Sequence, residues 1–292
     1  IDPQSGAMNV GWQIITPPFD WDLGSTGKGP SEGWAFWTSY NTEMAHDHLE
    51  ANASQLDRDY AAVVNWRAAE AAVKAGQATM MDGVPVIDPA KTPGVLYYLP
   101  VPKSPHGIDV DPSGRWVVAA GKLQPVASVF DFNKIQEAIA KKDFVSEFRG
   151  VPVIRYESVL EGEVPVGLGP LHTTFDNRGN AYTSLFIDSQ IVKWNIEKAI
   201  KGDPTYIADR VDVHYNPGHT KAAGADTSNP SGDWLLSLNK LSKGMYLPVG
   251  PAMPESQELI DISGEKMHVV AAFPSLPEPH DAAFIPRQAL AD

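Results

Sequence analysis

Short apolar runs recur along the chain, and each hands over to a stretch with helical character. Val63-Val64-Asn65-Trp66 is followed by the Ala-rich segment 67–74, Val129-Phe130-Asp131-Phe132 by 133–142, and Ile191-Val192-Lys193-Trp194 by 195–201. Leu259-Ile260-Asp261-Ile262 is a shorter fourth run that stops at Ser263-Gly264. Continuous apolar runs of this length predict buried strands, and the segments behind them predict short helices. The anchors Trp66, Phe132, Trp194 and Ile262 lie 66, 62 and 68 residues apart, so the chain is a repeat. Asp111-Pro112-Ser113-Gly114 and Asp176-Asn177-Arg178-Gly179 are turn sequences that predict hairpins inside two of the units. Trp34–Tyr40 reads as a strand, residues 1–33 and 141–170 as irregular connections, and 43–58 as a polar loop or short helix.

A period near 65 exceeds the roughly 40–50 residues of a standard propeller blade, and the added helix and loops account for the excess. The expected fold is an all-β propeller, with about three to four blades and short helices between them. Gly and Pro are abundant, at 24 and 25 of 292 residues, which suits many turns.

Net charge is −13, which argues against a nucleic-acid partner or an anionic membrane surface. No apolar run approaches a membrane span. The chain has no cysteine, so disulfides, thiolate zinc sites and cysteine-held iron–sulfur clusters are ruled out within it. It opens on Ile1-Asp2-Pro3 without Met or a signal sequence, the expectation for an interior segment or a processed chain.

Four of the eight histidines share one local setting, with a proline one or two residues back. They are His106, His172, His219 and His280, at intervals of 66, 47 and 61 residues. In a propeller, a histidine at the start of each inner strand projects toward the axis, so one imidazole per repeat can reach a common centre. Metals such as copper are bound by that constellation. The other four are read as packing or surface residues: His214 after Val211-Asp212-Val213, His268 within Met267–Val270, and the pair His46 and His48. Lys240 and Glu278 are charged residues near these motifs. Such groups can orient ligands or move protons at a metal centre, although spacing alone favours a solvated surface role. No P-loop and no Gly-x-Ser-x-Gly elbow is present.

Several longer motifs resemble the nitrous-oxide reductase family. They are Ser-Pro-His-Gly (104–107), Gly-Pro-Leu-His-Thr-Thr-Phe-Asp (169–176), Leu-Phe-Ile-Asp-Ser-Gln-Ile-Val-Lys-Trp-Asn (185–195), Asp-Val-His-Tyr-Asn-Pro-Gly-His (212–219), Leu-Pro-Val-Gly-Pro (247–251), Leu-Ile-Asp-Ile-Ser-Gly (259–264) and Glu-Pro-His-Asp (278–281). The resemblance covers most of residues 34–285 and is strongest from 98 onward. It implies a seven-bladed propeller with a four-copper, sulfide-bridged centre held by seven histidines, and reduction of nitrous oxide to dinitrogen and water. His106, His172, His219 and His280 match four of those ligands, and Lys240 and Glu278 match residues beside the cluster. Tyr40, Glu43 and Asp59 match part of a calcium site; Ala53 and Ser104 stand where a methionine and an asparagine would complete it.

The resemblance also implies three further ligands, including an adjacent His-His pair, upstream of residue 1. A cupredoxin domain with a two-copper electron-entry site is expected downstream of residue 292. Residues 1–292 are thus expected to be one partial propeller domain and inactive in isolation. A homodimer, a periplasmic location and an electron donor such as a cytochrome c or cupredoxin are implied by the same resemblance. The long interval from His106 to His172 predicts an insertion near 141–163. Two other readings are a non-catalytic propeller scaffold and a calcium-dependent propeller hydrolase of the lactonase type. The second relies on channel carboxylates and Asn, and the four histidines argue against it.

Overall fold

The computed structural model describes residues 4–16, 19–42, 59–242, 254–277 and 279–285. Strands β1 (Gln13–Ile14), β2 (Phe19–Thr26), β3 (Trp34–Thr42), β4 (Tyr60–Asn65), β5 (Thr79–Met81), β6 (Val84–Ile87) and β7 (Leu96–Pro100) open the chain. Next come β8 (Pro105–Val110), β9 (Trp116–Gly121) and β10 (Val126–Asp131), then β11 (Phe144–Phe148), β12 (Val151–Ile154) and β13 (Leu160–Pro165). Strands β14 (Pro170–Phe175), β15 (Asn180–Leu185), β16 (Gln190–Asn195) and β17 (Ile207–Asp212) form one four-stranded meander. Strands β18 (Tyr215–Ala222), β19 (Trp234–Leu241), β20 (Ser256–Asp261) and β21 (His268–Pro274) form another. The remaining sheets are β13-β10-β9-β8, the six-stranded β11-β12-β7-β4-β3-β2, and a small one of β1, β6 and β5.

The four large sheets are blades of a propeller segment that does not close. Period-two alternation sends opposite faces of each strand to different neighbours. On β9, Val117 joins Phe36, Val63 and Leu99 of the first blade, while Val118 joins Phe175, Val192 and Trp194 of the third. Tyr182 and Ile191 of the third blade meet Leu235 and Ile260 of the fourth. Each interface buries side chains at essentially zero exposure, which fixes the register of blade on blade.

The strand-to-helix joints are capped. Asn65 Oδ1 accepts from Ala68 N–H at 2.9 Å ahead of α1 (Trp66–Lys74), and Asp131 Oδ1 accepts from Asn133 N–H at 2.8 Å ahead of α2 (Phe132–Lys141). After a one-turn α3 (Tyr156–Val159), Asn195 Oδ1 caps α4 (Ile196–Ile200) through Lys198 N–H at 3.0 Å. Asp261 makes the equivalent contact with Ser263 N–H at 2.9 Å, without a helix. These caps are spaced 66, 64 and 66 residues apart, so the third repeat aligns on Ile196 rather than on Trp194. The reason is that the cap needs Asn or Asp at the strand end, one residue before the anchor.

Two expectations are corrected. Residues 1–33 are not all loop, because β1 and β2 lie there and β2 edges the first blade. Residues 141–170 form the hairpin β11–β12, whose Val153 pairs in parallel with Tyr98, and then β13, which completes the second blade. The expected insertion therefore extends the first sheet. Short strands with charged exposed faces, such as β11, carry too weak an alternation to stand out in sequence. The predicted hairpin turns are present. Asp111 Oδ1 accepts from Trp116 N–H at 2.8 Å, and Gly114 at φ 74° leaves room for Lys28 O, which would be 1.7 Å from a Cβ there.

Candidate metal centre

The first strands of the second, third and fourth blades, β8, β14 and β18, each lie at the edge of their sheet and pack side by side. Each carries a β-bulge at the same place. Pro105 pairs with Gly121 and Ile108 with Ala119; Pro170 pairs with Leu185 and Thr173 with Thr183; Pro217 pairs with Asn239 and Thr220 with Ser237. Three steps on one strand oppose two on the other, so each inner strand holds one extra residue between its proline and the resumed ladder. His106, His172 and His219 sit in those bulges. Proline is tolerated at such edge positions because its missing N–H is not needed by the ladder. The shared Pro-His setting in the sequence is thus the signature of a repeated bulge that re-aims one side chain.

Hydrogen bonds within and between blades satisfy the backbone groups left over by the bulges. His172 N–H donates to Ser184 Oγ at 3.2 Å, Ser184 Oγ–H donates to Gly218 O at 2.6 Å, and Thr38 Oγ–H donates to His106 O at 2.5 Å. Asp109 Oδ2 accepts from Thr173 N–H at 3.0 Å, and Thr174 Oγ1 accepts from Ala222 N–H at 2.9 Å. These links tie β8, β14 and β18 together directly beside the rings.

The rings converge. Centroids of His106 and His172 are 4.8 Å apart, His106 and His219 5.8 Å, and His172 and His219 4.0 Å. One nitrogen from each of these three lies within 4.8 Å of the others. His280 joins with its ring 4.5 Å from that of His219, but from an exposed segment without strand structure, so the expectation of an inner-strand start fails for it. His172 and His219 are only the third and fifth residues of their strands, because the bulge and not the strand start sets their direction. His46 and His48 lie outside the described residues. His268 is exposed on β21, and His214 is buried elsewhere, with Nδ1 2.7 Å from Ser256 Oγ.

The Nε2 atoms of His172 and His219 are buried without a hydrogen-bond partner. Leaving such atoms unsatisfied costs about 1–3 kcal/mol each, and a metal ion removes that cost. Burial, then the neighbouring imidazoles, holds the His172 ring well below its ordinary pKa. The same causes lower His219 to about 3. Both rings are therefore neutral and offer lone pairs, the state a metal requires.

These two rings make the metal-free protein sensitive to acid. Their folded pKa values lie below the unfolded value, so below about 6.5 the unfolded chain binds more protons and stability rises with pH, for His219 over a window that reaches down to about 3. Metal-free protein should lose up to about 2 kcal/mol through His219 on going from about pH 7.5 to pH 5, with His172 acting in the same direction. Urea midpoints across that range measure it. His219→Gln should flatten the slope, and an unchanged slope contradicts the account.

Lys240, on β19, lines a cavity of about 780 Å³ together with His106, His219, His280, Asp22, Lys122 and Glu255. Leu171, Phe186 and Trp21 give it apolar walls. Glu278 and Glu43 lie outside the described residues. Tyr40 is placed in β3, and Asp59 precedes β4 with its Oδ2 accepting from Ser104 N–H at 3.2 Å. Sequence reasoning missed Asp22, whose Oδ2 is 2.7 Å from His106 Nδ1. The available signal was Phe19-Asp20-Trp21-Asp22-Leu23, whose polar–apolar alternation marks β2.

The family model described as the nitrous oxide reductase propeller repeat matches residues 210–280. The chain is 43% identical over 284 residues to a nitrous-oxide reductase of Stutzerimonas stutzeri, an alignment covering 94% of this chain and 42% of the relative. It is 42% identical to that of Pseudomonas fluorescens, with the same coverage of both chains. It is 39% identical to that of Ralstonia nicotianae, over 99% of this chain and 44% of the relative. The chain therefore spans less than half the length of the curated relatives it matches.

Proposed function

We propose, from the premise that this chain is homologous to a propeller-bearing part of the nitrous-oxide reductases, that it supplies four histidines of a copper centre at which nitrous oxide is reduced to dinitrogen and water. The observation that carries the reading is the convergence of His106, His172 and His219 with two buried, unpartnered imidazole nitrogens. Copper accepts imidazole without thiolates, which fits a chain that has no cysteine. The residues present fit such a group: His106, His172, His219 and His280 would hold it. The family resemblance supports a four-copper sulfide cluster, a periplasmic homodimer and an electron-donor protein such as a cytochrome c or cupredoxin as features of the whole protein. A calcium ion near Tyr40, Glu43 and Asp59 has only that resemblance behind it.

Held by these imidazoles, copper would supply the electrons for the reduction of nitrous oxide. The protein's own groups do the rest. Asp22, beside His106 Nδ1, favours the tautomer with the proton there and keeps Nε2 for the metal. Hydrogen bonds with Ser184 and Thr38 hold the bulge backbones and so fix ring direction. Leu171, Phe186 and Trp21 offer an apolar approach that suits a small uncharged molecule. Lys240 lines the same cavity, where an ammonium donor would stabilise negative charge that develops on oxygen.

Elemental analysis of the purified whole protein tests the reading, together with nitrous-oxide-dependent oxidation of a reduced dye. Several coppers per chain and dye oxidation are expected. A copper-free, inactive whole protein favours the scaffold reading instead.

A further inference from the structure

Among the described residues, two cavities meet the histidine cluster. The larger holds Lys240. The second, about 70 Å³, is lined by His172 and His219 and, further along the inner strands, by Asp109, Thr173 and Lys221, with Lys28, Asp226 and Asp281 around them. Asp109 lies three residues past His106 on β8, roughly 10 Å along the strand. About 10–15 Å³ of such space holds one water, so the cavity has room for several, with charged partners on every side.

We propose that this second cavity is the proton path to the histidine centre, with the Asp109 carboxyl as its inner proton-holding group. The inference rests on the reading of nitrous-oxide reduction given above. That reaction breaks one N–O bond and consumes two electrons, from the donor protein, and two protons, which end in water. The protons must cross a protein interior in which the rings themselves are neutral.

The groups facing Asp109 select it. Lys28 Nζ, after β2, is tied to Val110 O at 2.7 Å and Ala225 O at 3.1 Å. Lys221, on β18, is paired with Asp226 at 2.9 Å. Thr173 N–H, on β14, donates to Asp109 Oδ2, and Asp111 follows just past the end of β8. Asp281 lines the cavity as well. Burial is the largest influence on Asp109 and lifts its carboxyl to about 6, against the lowering by Thr173 N–H, Lys221 and Lys28. A carboxyl poised near neutrality both accepts and releases protons.

Asp109→Asn separates this role from a structural one, because the amide oxygen can still accept from Thr173 N–H. In the whole protein, the variant should keep wild-type copper content and melting temperature. Its kcat should fall about ten- to hundredfold with KM unchanged, and the pH profile should lose its limb near 6. Asp109→Glu should restore part of kcat. In metal-free protein, the infrared band of a protonated carboxyl should titrate near pH 6 and be absent from Asp109→Asn. Unchanged kcat, loss of copper or fold in Asp109→Asn, or no such band overturns the proposal. A wild-type protein without copper instead defeats the parent reading, while the metal-free infrared titration still decides whether Asp109 holds a proton near neutrality.

Discussion

Replacing His172 by alanine in the whole protein is expected to abolish nitrous-oxide reduction and to lower the copper content per chain. His172 stands between the other rings, 4.0 Å from His219 and 4.8 Å from His106 by centroid, and it is 4% exposed. Among the described residues, no group satisfies its Nε2. Even partners outside the ligand shell are typically worth about 10–100-fold in metal affinity or activity, so loss of a ligand should exceed about a hundredfold in turnover. The fold should survive. The alanine keeps the backbone N–H that donates to Ser184 Oγ, and it removes a polar nitrogen that the metal-free protein buries at a cost. Copper analysis, turnover and a urea melt on one preparation measure all three. Full copper and full turnover in His172→Ala would remove the ligand assignment.

Gly107→Ala is expected to damage the same centre without replacing a ligand. A Cβ at Gly107 would lie 2.5 Å from Leu171 O and 2.9 Å from both His172 Cα and His172 Nδ1. The bulge on β8 passes so close to the bulge on β14 that only hydrogen fits between them. The obstruction is backbone, which cannot swing aside as a side-chain tip can. The inner strands must therefore separate, at a cost of about 1–3 kcal/mol for overpacking. His172 moves with its strand, so the variant should hold less copper while retaining every histidine. Denaturant midpoints and copper per chain give the two readouts. Wild-type values for both would show that the blades are not pressed together at this point.

Much of this architecture is written locally. Asn65, Asp131, Asn195 and Asp261 end their strands and cap the next turn of chain, and each needs only its own neighbours to do so. Asp111–Gly114 and Asp176–Gly179 close hairpins by their own side-chain and backbone contacts. The prolines before His106, His172 and His219 mark bulges that the strand itself imposes. What escaped local reading is the pairing of short strands with distant partners. β2 acquires its register from β3, and β12 finds β7 across more than fifty residues, so local pattern, even the alternation along β2, does not say where either strand pairs.

The repeat, the turns, the caps and the histidines set behind prolines are legible in the chain alone, because each depends on backbone preferences acting over a few residues. The meeting of particular histidines, the arrival of His280 from outside a strand and the place of Asp22 beside His106 are products of folding in three dimensions. So is the position of Asp109, which faces a small charged cavity rather than bulk water. Those outcomes depend on how one blade packs against the next, where burial strips water from a charge and changes what the same residue can do.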